Sequence, residues 1–73
     1  LTEAERNDYI KDKKQLCEAI IAENKNSKNE AYKMFENSNS SMEKKQLTDI
    51  LSCRDKIDKL CDKIAEKLDK LQG

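Results

Sequence analysis

The chain has 73 residues, 41% of them charged and 4% aromatic, and its fifteen basic side chains balance fifteen acidic ones. That length suits one small domain, residues 1–73, with apolar material for a thin seam between helices rather than a thick core. Zero net charge gives no electrostatic reason to bind nucleic acid or an anionic surface, and no apolar run approaches the ~18 residues of a membrane span.

Thr2-Glu3-Ala4-Glu5 reads as a capping box, in which the Thr2 hydroxyl accepts an amide bond while Glu5 reaches back. From there to Glu36 the chain has no Gly and no Pro. The spacing predicts a first helix over about residues 2–36. At ~1.5 Å per residue it spans about 50 Å. One stretch competes with this reading. Asn24-Lys25-Asn26-Ser27-Lys28-Asn29 is built from weak helix formers, and Ser27-Lys28-Asn29-Glu30 could cap a new helix. A loop there would give a three-helix bundle with a short middle helix, Lys28–Asn37.

Asn37-Ser38-Asn39-Ser40-Ser41 is a polar, turn-forming run. Ser40 and Glu43 form a second capping-box pattern, which predicts a second helix over about residues 41–72. Gly73 follows as a stop signal. In this helix Ile50, Ile57, Ile64 and Leu71 recur every seven residues, with Leu47, Arg54, Cys61 and Leu68 between them, the 3-4 repeat of a coiled-coil seam. Asp55, Asp62 and Asp69 form one outer column and Lys56, Lys63 and Lys70 the next, both read as solvated.

The seam of the first helix reads Ile10, Cys17, Ile20, Asn24, Ser27, Ala31, Met34. A turn at Asn39 pairs positions whose numbers sum to about 78. Ile10 then meets Leu68, Cys17 meets Cys61, Ile20 and Ile21 meet Ile57, and Ala31 meets Leu47. Asn24 falls opposite Arg54, so the polar residue of each seam meets the other. Such a pair penalises shifted registers at some cost in stability. The expected fold is all-α, two long helices in an antiparallel coiled-coil hairpin, with the three-helix bundle as the alternative.

Three cysteines, Cys17, Cys53 and Cys61, with no His and no CxxC, make neither a disulfide framework nor a zinc site. Cys17 and Cys61 suit small core thiols in a reducing, cytoplasmic compartment, with Cys53 on the flank. No Gly-rich phosphate loop and no nucleophile with a base at helical spacing is present. Carboxylates lie among lysines, where little shifts their pKa. The expectation is a non-enzyme without cofactor or metal, monomeric or weakly self-associating. The start at Leu1 reads as a domain cut from a larger protein.

The layout resembles the Rho-effector repeats, antiparallel coiled-coil domains of protein kinase N, rhophilin and the TOCA-type F-BAR adaptors. Gln46-Leu47-Thr48-Asp49-Ile50 through Ile57-Asp58-Lys59-Leu60 is similar to the adaptors' second helix. Leu1-Thr2-Glu3-Ala4-Glu5-Arg6 looks like their Leu-Pro-x-Glu-x-Arg opening without the proline. Lys33-Met34 matches a Lys-Met near the end of their first helix. The adaptors' loop is longer and contains Met-Gly-Asp, of which Met42-Glu43 is the nearest counterpart. The resemblance implies binding of a GTP-bound Rho-family small GTPase, Cdc-type favoured, in signalling to actin and endocytosis. Through Met42 it places the contact at the turn end. The polar segment held there by a rigid scaffold, with apolar groups beside it, extends the expected contact to Lys33, Phe35, Asn37, Ser38, Asn39, Glu43 and Lys45. A plain adaptor domain that binds a partner helix or itself is the other reading.

Overall fold

A computed structural model describes residues 1–72 and shows a two-helix, antiparallel hairpin. Helix α1 runs Glu3–Asn37 and α2 runs Ser41–Gln72, without strands among the described residues. The pair is rod-like, 57 × 15 × 14 Å. The expected bounds hold to within one residue at each helix end, and Gly73 lies outside the described residues.

The first cap forms as the sequence implies. Thr2 Oγ1 accepts from the Glu5 amide at 3.1 Å, and the Thr2 amide donates to Glu5 Oε1 at 3.4 Å. At the second, the Glu43 amide donates to Ser40 Oγ at 3.2 Å. The turn is held by one residue. The Ser38 amide donates to the Phe35 carbonyl at 3.3 Å, and Ser38 Oγ accepts from the Ser40 amide at 3.1 Å. Ser38 is buried.

The polar run Asn24–Asn29 is helical, which excludes the three-helix alternative. Its weak intrinsic preference is overridden by tertiary contacts of Asn24 and Lys28 with α2, described below.

The buried positions of α1 are Ile10, Cys17, Asn24 and Ala31, and those of α2 are Leu47, Cys61 and Leu68. Each set keeps a seven-residue interval, which Ser38 and the half-buried Arg54 extend. The second line of the seam is half-buried: Lys14, Ile21, Lys28 and Phe35 in α1, and Lys44, Leu51, Asp58 and Ala65 in α2. The isoleucine column is a correction to the sequence reading. Ile50, Ile64 and Leu71 are 46%, 39% and 56% exposed, and in α1 Ile20 and Met34 are also exposed. They flank the seam rather than fill it.

Cys17 and Cys61 are buried free thiols in one layer of the seam, and Cys53 is exposed. Burial pushes the Cys61 thiol up, and the neighbouring Cys17 adds to the effect. In dilute native protein a maleimide should therefore label Cys53 alone. Denaturant should release the other two, read as one adduct against three by intact mass. Labelling of Cys17 at the Cys53 rate would contradict this seam.

Candidate functional site

Midway along the rod the seam turns polar. Asn24 is 2% exposed, and its side chain is fully engaged. Nδ2 donates to the Arg54 carbonyl at 2.7 Å and to Asp58 Oδ1 at 2.8 Å. Oδ1 accepts from Arg54 Nη1 at 3.4 Å. The other Asp58 oxygen takes Lys28 Nζ at 2.6 Å, and Lys28 also reaches Asp55 at 3.3 Å. No buried side-chain N or O lacks a partner among the described residues. A fully satisfied network of this kind rigidifies a seam, where a half-satisfied one would weaken it.

The Asn24–Arg54 match was legible in the sequence. Lys28 and Asp58 were missed, because charged residues in a heptad read as surface. The available signal was their place four residues after Asn24 and Arg54, the next line of the same seam. The Lys28 hydrogen bond, followed by that of Asn24, holds the Asp58 carboxyl below the usual range. Asp58, with Asp55 adding to it, raises the Lys28 ammonium against the opposing effect of burial. Nearer the helix ends, Lys14 bridges to Asp69 at 2.5 Å and donates to Gln72 at 3.0 Å.

At the turn end a shallow hollow of about 670 Å3 is lined by Lys33, Met34, Asn37, Ser38, Asn39, Ser40 and Glu43. It gathers five of the eight sequence-derived contact residues: Lys33, Asn37, Ser38, Asn39 and Glu43. Met42 stands outside it, 72% exposed. Phe35 is different. It is a half-buried seam residue, with Lys44 Nζ 5.4 Å from its ring centroid. Ser38 is committed to the turn. Lys45 is exposed and does not line the hollow.

A larger surface emerges from the seam geometry. With Ile10, Cys17, Asn24 and Ala31 facing Leu68, Cys61, Arg54 and Leu47, positions one and four residues before each of these turn to one lateral face. In an antiparallel pair both helices present that side together. The face carries Tyr9, Leu16, Ile20 and Met34 from α1 and Ile50, Leu60, Ile64 and Leu71 from α2. These are eight of the eleven exposed large hydrophobic residues. An apolar hollow of about 460 Å3 lies on it, at Asp49, Ile50, Cys53, Arg54 and Ile57. The opposite face carries Lys11, Gln15, Glu18, Lys25 and Asn29 against Thr48, Asp55, Lys59, Asp62 and Glu66, with Tyr32 as its exposed large hydrophobic residue.

Comparison with known protein families, curated proteins and solved structures finds no match to the chain. No described helix is long and apolar enough to cross a membrane.

Two outcomes are expected for the polar layer. Asn24→Ala should cost about 1–3 kcal/mol in a urea melt, because it strips the partners of a buried group. A change within a few tenths would show that the layer does not bind the helices together. The pH response follows from the two shifts. Asp58, lowered on folding, contributes stability above the ordinary carboxylate range that is lost as pH falls through its folded value. Lys28, raised on folding, contributes stability below the ordinary lysine range that is lost as pH rises through its folded value. The melting temperature should plateau between these limits. Asp58→Asn should flatten both limbs, and an unaltered profile in that variant would contradict the assignment.

Proposed function

We propose that the chain is a non-catalytic interaction module that offers the apolar face of its hairpin to a helical partner. The supporting observation is that eight of the eleven exposed large hydrophobic residues lie on one face of the rod, while the other face is polar apart from Tyr32. Contiguous apolar surface of this extent marks interaction sites, whereas scattered exposed residues do not. An amphipathic helix laid along such a face reads its pocket positions at i, i+3, i+4 and i+7. The hairpin's role is then to hold two helices rigidly side by side, so that Ile20, Ile57 and Ile64 present a groove rather than a ridge.

The narrower reading, a GTP-bound Rho-family GTPase of Cdc type at the turn end, is supported by the residue resemblance. The hollow beside Asn37–Ser40 and the exposed Met42 add to it. On this reading Met42, Glu43 and Lys33 make the contact, while Phe35 supports the helices from the seam. Affinity at so small a surface would be on the order of micromolar.

Two measurements separate the readings. Ile50→Ser with Ile64→Ser should leave the helix content of dilute protein near wild type, since both side chains lie outside the seam. Loss of the helices would make them core residues and end the docking proposal. Titration of isotope-labelled protein with GTP-loaded and GDP-loaded Rho, Rac and Cdc-type proteins tests the second reading. Nucleotide-dependent shifts at Asn37–Lys45, abolished by Met42→Ala, would support it. No shift at high concentration would remove it.

A further inference from the structure

We infer that the occupant of the apolar face is a second copy of this chain. Two hairpins would pack face to face as a four-helix bundle, with both turns at one end. The inference rests on the docking reading above and names its partner.

Area comes first. The rod is 57 Å long and 15 Å across, so one whole side of it offers a projected area close to the ~800 Å2 per partner of a standard interface. The need for cover is equally plain. The seam devotes Lys14, Asn24, Lys28, Arg54 and Asp58 to polar contacts, which leaves a short apolar core for a chain of this size. Covering the exposed isoleucines and leucines would supply the missing burial, at roughly 25 cal/mol per Å2.

Charge selects the arrangement. On the α1 side the apolar face is edged by Glu5, Asp12, Glu23 and Glu30 with Arg6, Lys13 and Lys33 among them, and on the α2 side by Lys56, Lys63, Lys67 and Lys70 with Glu43 and Asp49. The first edge has a net negative charge and the second a net positive one. A two-fold axis parallel to the helices lays α1 of one copy over α2 of the other and joins unlike edges. A two-fold axis across the rod lays α1 over α1 and α2 over α2, and so sets each edge against another of the same net sign. In the first arrangement the hairpin register carries over between copies. Ile20 of one copy then stands level with Ile57 of the other, Leu16 is near Leu60, Glu23 meets Lys56 and Asp12 meets Lys67. Lys33 falls level with Glu43 near the turn, whereas Glu30 meets Asp49 and Lys13 lies between Lys63 and Lys67, two opposed levels against three matched. Every neighbouring helix pair is antiparallel, as in up-and-down bundles.

Sedimentation equilibrium from about 1 to 500 µM brackets a Kd in the micromolar range and should show conversion of monomer to dimer. Alkylation of Cys53, which lies on the face, should slow over the same concentrations. Glu23→Lys should weaken the dimer about tenfold, since two rim pairs become repulsive. Adding Lys56→Glu should restore it. A wild type that sediments as a monomer throughout, with Cys53 alkylated at a constant rate, overturns the inference. It leaves the docking proposal standing, which falls instead if Ile50→Ser with Ile64→Ser unfolds the helices. A dimer that Lys56→Glu fails to rescue overturns the arrangement.

Discussion

The structure depends on the hydrogen bonds of one buried amide. Asn24 donates to a main-chain carbonyl and a carboxylate of α2 and accepts from the Arg54 guanidinium. Each bond has a direction, so the network is satisfied in one register and one rotation of the helices. Apolar contacts alone would tolerate sliding, because Ile10, Cys17 and Ala31 could trade neighbours along α2 at modest cost. A shift of one heptad would bury Asn24 against Leu47 or Cys61, and an amide without partners there costs about 1–3 kcal/mol. Lys28 and Asp58 strengthen the constraint from the next line of the seam.

The same constraint explains the exposed face. Rotating either helix to bury Ile50, Ile57 and Ile64 would cover the most hydrophobic column of α2, yet it would draw Asn24 from the Arg54 carbonyl and Asp58 from Lys28. The native rotation keeps the polar layer and leaves the isoleucines half-covered. Fold and candidate function are linked at this point. The residues that specify the hairpin are polar and inside it, and the most hydrophobic column of α2 is left for a partner.

Much of this was legible in the residues. The two caps, the Ser/Asn turn and the absence of Gly and Pro located both helices, and the turn fixed the register that brings Asn24 to Arg54 and Cys17 to Cys61. The rotation of the helices was not legible, for a physical reason. Periodicity locates the most hydrophobic stripe, and in α2 that stripe is Ile50, Ile57, Ile64 and Leu71, whereas the seam line holds Lys44, Leu51, Asp58 and Ala65. Hydrophobicity favours the former; a network of ionic partners supplied by another helix decides for the latter. Regular intervals in α1 carried the answer, since Ile10, Cys17, Asn24, Ala31 and Ser38 repeat at seven without interruption. At the turn, Ser38 looked like a free polar residue and proved to be the internal brace, a role that depends on backbone geometry no pattern of residue types encodes.

Interhelical contacts in solution test the central claim most directly. In labelled protein at low concentration, nuclear Overhauser effects should join Cys17 to Cys61, Ile10 to Leu68 and Ala31 to Leu47. The Asn24 side-chain amide protons should exchange slowly, and chemical shifts should be helical through Asn24–Asn29. Contacts displaced by a heptad, an Ile50–Ile57–Ile64 column packed in the centre of the seam, or a rapidly exchanging Asn24 amide would contradict the account.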